Sequence, residues 1–149
     1  MGNKTATIPP KGCTNFKVRQ LARVLARHYD AKVVKAGLKT TQYSLLTHVL
    51  RLGPLPPGEL ARAMGVDAST LTRNLQPMLA SGWLIEEAGD DKRSRRISLT
   101  EAGRAKQAEA VAHWKAAQLD LNARLGVERV AALHALMDEC MAALHSTNP

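Results

Sequence analysis

Five polar side chains lie close together in the middle of the chain, between apolar residues that recur at helical spacing from Leu60 to Leu75. Short hydroxyls, an amide and an arginine in the N-terminal half of a helix suit phosphates and base edges in a DNA major groove, where arginine pairs bidentately with guanine. A polar helix face that is simply solvated is the alternative. The candidate DNA contacts in this segment are Ser69, Thr70, Thr72, Arg73 and Asn74.

A second group of charged side chains follows about twenty residues later. Four cations, Lys92, Arg93, Arg95 and Arg96, fall within five residues. Such a cluster at a hairpin tip fits a wing that reaches into a minor groove, and a solvated charge run is the alternative. The candidate contacts here are Lys92, Arg93 and Arg95. Asp91 is too acidic to contact DNA, and we expect it to hold Arg73 or Arg93 in place.

The elements that position both groups are predicted by their spacing. The segment LARAMGVDASTLTRNL reads as a helix over 59–64, a turn at Gly65 and a second helix over 68–81 with Asp67 as its N-cap. Ala61 is small where the helices cross, and Gly65 supplies the left-handed turn. Strand patterns over 84–88 and 94–99 predict the hairpin that carries the cations.

Longer helices flank this central unit. Apolar residues at three- and four-residue steps predict a helix over 15–36 that Gly37 ends, and a second helix to Leu52 that Thr40 or Thr41 caps. An alanine-rich stretch after Thr100 predicts a helix to Asn122, and the last helix spans 127–145. The predicted fold class is therefore mainly α with a small β-hairpin wing, a winged helix-turn-helix domain plus a helical dimerisation domain.

The charge distribution favours a polyanionic partner. The chain has 149 residues and a net charge of +8, and residues 11–51 contain nine basic and one acidic residue. Such an excess suits nucleic acid or a membrane surface, although it can also serve solubility alone. The sequence shows no apolar run long enough for a membrane span and no secretion signal at the N-terminus, so we expect a cytoplasmic protein that uses no membrane.

Three segments in this order resemble the MarR family of winged helix-turn-helix transcription regulators. They are GLKTTQYSLL, ELARAMGVDASTLTRNLQPMLASGWL and DDKRSRRISLTEAG. The family's wing motif is matched by Asp91, Arg93, Ser94, Leu99, Thr100 and Gly103. The resemblance covers residues 14–145. It implies a homodimer that binds double-stranded DNA at a pseudo-palindromic operator, and a pocket where small aromatic or phenolic molecules release DNA.

The resemblance also implies a division of the chain. Residues 1–12 would form a flexible arm, 13–52 the helices of the dimerisation and pocket region, 53–100 the DNA-binding domain and 101–149 the C-terminal dimerisation helices. An apolar seam on the last helix and the apolar face of the first cannot both be covered within one small subunit. The expected dimerisation residues are Val18, Leu21, Val130, Leu133, Met137 and Leu144.

Two signals are candidates for the stimulus that the protein senses. The resemblance surrounds the effector pocket with the first, second and fifth helices, and the pocket candidates are Leu25, His28, Tyr29, Tyr43, His48 and Trp114. Core packing is the alternative role for these side chains. Cys13, just before the first helix, is a possible redox sensor because Lys11 and Lys17 favour its thiolate. Cys140, on the apolar seam, is expected to be a small core residue.

Other classes of function receive less support. The sequence shows no phosphate loop, nucleophile elbow or metal-ligand run, so we expect no enzyme, no cofactor and no metal. His134 and Asp138 stand four residues apart, but a solvated or packed histidine explains that spacing. The expected function is a DNA-binding regulator, most simply a repressor released by an aromatic ligand. The alternatives are a redox regulator acting through Cys13 and a winged helix that binds proteins without binding DNA.

Overall fold

The computed structural model describes residues 11–146, and the predicted arm over 1–12 lies almost entirely outside them. The elements in chain order are α1 (Thr14–Val33), a 3-10 turn (Val34–Ala36), α2 (Thr40–Leu52), α3 (Pro57–Met64), α4 (Ala68–Ala80), β1 (Leu84–Ala88), β2 (Arg95–Leu99), α5 (Glu101–Leu125) and α6 (Val127–His145). The predicted class, mainly helical with one small hairpin, is confirmed.

The connection between α1 and α2 differs from the prediction in its capping. Gly37 ends the 3-10 turn in the left-handed region, with φ of 73°. Neither threonine caps α2, because the chain turns back far enough for Asp30 of α1 to serve instead: its Oδ1 accepts a hydrogen bond from the backbone N–H of Thr40, with N···O 2.7 Å. The backbone N–H of Lys39 donates to Gln42 Oε1 over 2.9 Å.

The hairpin pairs β1 and β2 in antiparallel register from Leu84–Leu99 to Ala88–Arg95. The loop before α3 adds a one-residue bridge that the sequence did not indicate. Leu55 and Ile97 exchange both backbone hydrogen bonds, with N···O distances of 3.2 and 2.8 Å. The ladder goes no further because the next residues that could donate to β2 are Gly53, whose N–H donates to the carbonyl of Val49, and Pro57, which has no N–H.

The core lies where α2, α3, α4 and the hairpin meet, and it is closed on one side by α5. Its fully buried side chains include Leu45, Leu46, Leu60, Leu71, Met78 and Ile97. Helix α1 packs along α5, and α5 packs against α6. Among residues 11–146, no helix is long and apolar enough to cross a membrane.

Candidate nucleic-acid interface and effector cavity

Helix α4 begins at a strong N-cap. Asp67 Oδ1 accepts hydrogen bonds from the backbone N–H of Thr70 and from the hydroxyl of Ser69, each over 2.7 Å. These hydrogen bonds lower the pKa of Asp67 from 3.8 to about 2, and the bond from the Thr70 N–H has the largest effect. The carboxylate is therefore ionised and engaged by its own helix, which fixes the first turn of α4 and the direction of its outer face.

The two sides of α4 differ as the sequence predicted. Leu71, Leu75 and Met78 are buried in the core. The five candidate DNA contacts all keep solvent access, with Ser69, Thr72 and Arg73 exposed and Thr70 and Asn74 half-buried. The hydroxyl of Thr72 donates to the carbonyl of Ala68 over 2.9 Å. The outer face of α4 thus presents acceptors, an amide and one guanidinium group.

The wing divides its cations into paired and unpaired groups. Arg96 Nη2 lies 3.1 Å from Asp90 Oδ2, and Arg95 Nε lies 3.9 Å from Glu86 Oε1. Lys92 and Arg93 are exposed and take part in no ion pair among residues 11–146. The tip therefore carries two cations that are outside any ion pair and available to phosphates, while Arg95, a predicted contact, also has a carboxylate partner on β1.

The ion pair expected for Asp91 is not formed with either Arg73 or Arg93. The carboxylate Oδ1 of Asp91 instead accepts the backbone N–H of Arg93 over 3.3 Å. Its carbonyl accepts from both the N–H and the hydroxyl of Ser94, each over 2.8 Å. Asp91 therefore stabilises the backbone of the turn. The ion pair with an arginine is formed by its neighbour Asp90, which binds Arg96.

A cavity of about 330 Å³ lies between α2 and α5. The rings of Tyr43 and Trp114 are stacked in its wall, with centroids 5.9 Å apart and planes inclined by 23°. The lining consists of Thr40, Tyr43, Ser44, Thr47, His48, Arg51 and Trp114. Three predicted pocket residues, Tyr43, His48 and Trp114, therefore share one cavity.

Four residues of this cavity were missed from the sequence: Thr40, Ser44, Thr47 and Arg51. Arg51 stands eight positions after Tyr43, and this helical spacing places both on one face. The Oγ1 atom of Thr40 is buried and has no hydrogen-bond partner within the described part of the chain. Aromatic rings, a cation and a free hydroxyl in one cavity suit an anionic aromatic molecule.

The other predicted pocket residues do not reach this cavity. Leu25 and His28 line a separate groove of about 530 Å³ between α1 and α5. His28 Nε2 lies 2.8 Å from the carbonyl oxygen of Ala117. Tyr29 lines neither space, donates its hydroxyl to Gln118 Oε1, and has its pKa raised by burial. Five of the six candidates are thus distributed over two spaces, and Tyr29 lines neither, because they lie on different faces of the helices.

The predicted dimerisation residues are mostly exposed in the single chain. Val18 is 61% exposed and Met137 is 43% exposed, and Leu21 and Leu144 are also open to solvent. Val130 is buried and Leu133 half-buried against their own subunit. Cys140 is exposed on α6, which contradicts the expected core position. Apolar side chains of α1 and α6 therefore remain open over a long surface.

Cys13 is exposed immediately before α1, as a redox role would require, and it is a free thiol. The backbone N–H of Lys17 donates to the carbonyl of Cys13 over 3.1 Å, but no described contact joins the ammonium group of Lys11 or of Lys17 to the thiol. Within residues 11–146, no three His, Cys, Asp or Glu side chains are grouped so as to hold a metal ion.

Comparison with known proteins gives consistent matches. Residues 36–94 match the sequence profile of the MarR family. The chain is 30% identical over 99 residues to the multiple antibiotic resistance protein MarR of Salmonella typhimurium, covering 66% of this chain and 67% of that protein. The crystal structure of the M. tuberculosis transcriptional regulator MosR is 34% identical with a TM-score of 0.75, covering 89% of this chain and 98% of that one. The structure of MosR in complex with DNA is 36% identical with a TM-score of 0.72, covering 87% and 98%.

Proposed function

This chain belongs to the MarR family of winged-helix transcriptional regulators, DNA-binding proteins that are not enzymes, and on that premise we propose that it acts as a homodimeric repressor released by an aromatic acid. The observation that carries the proposal is the outer face of α4 beside two unpaired cations of the wing tip, Lys92 and Arg93. A module that bound only proteins would have no need for two cations left outside ion pairs at that tip.

The proposed DNA contacts divide into two kinds. Side chains of α4, above all Arg73 and Asn74, read base edges in the major groove, and Lys92 and Arg93 contact the backbone or the minor groove beside it. The structure of MosR in complex with DNA, 36% identical to this chain, supports DNA binding as such. Ser69, Thr70 and Thr72 complete the contact surface of the helix.

The proposed dimer is supported by the open apolar faces of α1 and α6. Phe16, Val18 and Val24 on α1 and Leu136 and Met141 on α6 are between 49% and 61% exposed in the single chain. Apolar surface on this scale is unfavourable in water and is covered when two copies intertwine these helices. The proposed division of the chain follows, with residues 53–100 reading DNA and the helices before and after them forming the dimer.

The proposed effector occupies the cavity between α2 and α5. A ring of the ligand would lie against Tyr43 and Trp114, and its carboxylate would face Arg51. Because α2 also packs against α3 and α4, a ligand that prefers one position of α2 changes the separation of the two α4 helices in the dimer. Such a ligand weakens DNA binding only to the extent that it binds the conformation without DNA more tightly than the DNA-bound conformation. This difference in binding free energy is typically about 1 to 3 kcal/mol.

The test selects genomic DNA fragments with the purified protein and maps the protected bases. We expect one pseudo-palindrome whose half-site centres are one helical turn apart, roughly 34 to 36 Å. A variant with both Lys92→Ala and Arg93→Ala serves as the matched control and should enrich no fragment. If the parent protein enriches no sequence above background, the proposed operator binding is wrong.

A further inference from the structure

A small cleft separates the first turn of α2 from the middle of α4. It has a volume of about 150 Å³ and belongs to neither the wing nor the effector cavity. Its lining consists of Lys39, Thr41, Gln42, Arg73, Asn74 and Pro77. Two of these residues, Arg73 and Asn74, lie on the outer face of α4, so the cleft is continuous with the surface that faces DNA.

The charge of the residues that line the cleft is positive. Lys39 and Arg73 are both exposed, and neither is part of an ion pair among residues 11–146. No aspartate or glutamate lines the cleft. The acid that Arg73 influences, Asp67, is occupied by Ser69 and Thr70. Arg95 and Arg96 on the wing, by contrast, each face a carboxylate.

The other polar groups of the cleft suit an anion with several oxygen atoms. Gln42 uses its Oε1 to accept the backbone N–H of Lys39, and this leaves its amide protons available as donors. The hydroxyl of Thr41 adds a further donor. Together with the ammonium group of Lys39, the donors of Thr41 and Gln42 match the non-bridging oxygens of a phosphodiester, while Arg73 and Asn74 on the α4 side of the cleft stay available for base edges.

We propose that the cleft holds one backbone phosphate of the operator beside the major groove that α4 enters, with Lys39 as its principal charged contact. This inference rests on the proposed operator binding and extends it to a helix outside the helix-turn-helix. A contact of this kind carries no base information. It fixes the depth and angle at which α4 enters the groove.

The position of the cleft connects the phosphate contact with the effector. Thr41 and Gln42 line the cleft, whereas Thr40, between them and Lys39, lines the effector cavity. Adjacent residues of one helical turn therefore face the DNA and the ligand. A ligand that moves the start of α2 also moves the phosphate contact, and so acts on DNA affinity without touching α4.

The test measures binding by fluorescence anisotropy over a series of salt concentrations, with the selected operator and with a scrambled duplex. Lys39→Ala should weaken binding to both duplexes by the same factor, on the order of tenfold, because the lost contact is electrostatic. The slope of log K against log salt should fall by about 2, since each subunit of the dimer loses one phosphate at about 0.9 per phosphate. Lys115→Ala, an exposed lysine on α5, is the matched control and should leave the slope unchanged.

Ethylation interference identifies the phosphate directly. In the parent complex one ethylated phosphate at the edge of each half-site should block binding, and with Lys39→Ala that position alone should cease to interfere. Thr41→Ala serves as a second variant: it removes an uncharged donor, so it should weaken binding by a smaller factor and leave the salt slope unchanged. Circular dichroism confirms that both variants are folded. If the parent binds its operator and Lys39→Ala keeps the same slope and the same interference pattern, the phosphate contact is wrong while operator binding stands. If the parent binds no operator, the proposed function itself fails.

Discussion

Gly103 lies against the carbonyl group of Trp83 so closely that the carbonyl oxygen occupies the place a Cβ would take. The Thr100 hydroxyl lies 2.6 Å from the carbonyl oxygen of Gly82, and its oxygen accepts the backbone N–H of Gly103 over 3.0 Å. The ammonium of Lys106 stands 5.6 Å from the centre of the Trp83 ring. These contacts join the start of α5 to the segment between α4 and β1.

We expect Gly103→Ala to destabilise the fold, because the added methyl group must displace backbone and not a flexible side chain. Overpacking of this kind costs typically about 1 to 3 kcal/mol in the free energy of unfolding. Gly58→Ala is the matched control, since a Cβ at Gly58 meets nothing within 4 Å, and it should change that free energy by less than about 1 kcal/mol. Urea denaturation of both variants measures the difference, and equal stabilities would contradict the close approach.

Arg73→Ala and Arg93→Ala should weaken DNA binding in different ways. Loss of Arg73 is expected to cost about 1 to 3 kcal/mol and to relax base preference at one operator position, because it removes a contact from the reading helix. Loss of Arg93 at the wing tip should weaken binding to all sequences more evenly and lower the salt slope. Mobility shifts with a set of single-base operator variants separate the two effects. Parental affinity in both variants would show that neither side chain contacts DNA.

Asp67 should make stability depend on pH at the acidic end. Its pKa of about 2 in the folded chain lies below the ordinary value, so the stabilisation is complete above pH of about 4 and is lost as pH falls through the folded value. Asp67→Asn keeps a capping oxygen and cannot titrate. Thermal unfolding of parent and variant from pH 5 to pH 2 should show a parental advantage in Tm that narrows at low pH. A difference that stays constant over that range would argue against the ionised cap.

Met137→Asp should separate the subunits without unfolding them. Met137 is 43% exposed in the single chain, so a carboxylate there can remain hydrated in a monomer but would be buried without a partner in a dimer. Leu133→Asp places its charge at a half-buried position and is expected to give unfolded or aggregated protein. Analytical ultracentrifugation should find a folded monomer for Met137→Asp and a dimer for the parent. A parental protein that sediments as a folded monomer at micromolar concentration rejects the intertwined dimer.

Arg51→Ala should abolish the response to aromatic carboxylates while leaving operator affinity close to the parental value. Arg51 lines the cavity beside Tyr43 and Trp114 and is the cation of that lining. The measurement is release of operator by a panel of benzoates, with the corresponding neutral amides as ligand controls. If the benzoates release operator DNA equally from the parent and from Arg51→Ala, Arg51 does not bind the ligand.

Oxidation is tested separately with Cys13→Ser. If the effector proposal is right, peroxide should release operator no better from the parent than from Cys13→Ser, although the thiol is exposed. Release by peroxide that requires Cys13, with no response to any carboxylate, would replace the ligand hypothesis by the redox alternative.

Helix α4 and the wing could be predicted from the sequence because the spacing of nearby residues determines them. The cap at Asp67, the turn at Gly65 and the apolar positions Leu71 and Leu75 act within one or two helical turns, and the structure has each of them as predicted. The limits of β1 were also predicted, since alternation and turn residues are local. The same local signals carried the resemblance to the MarR family.

The tertiary structure decided which groups meet across the chain. Whether Asp90 or Asp91 holds an arginine depends on the path of the hairpin, and the bridge between Leu55 and Ile97 joins residues 42 positions apart. Five of the six pocket candidates fell into two spaces and Tyr29 into neither, and Lys39 came to line a cleft with Arg73, because the packing of α1, α2, α4 and α5 sets these distances. Periodicity states which face of a helix is apolar but not which neighbour covers it, and that is why Cys140, assigned to a core by its spacing, lies exposed on α6.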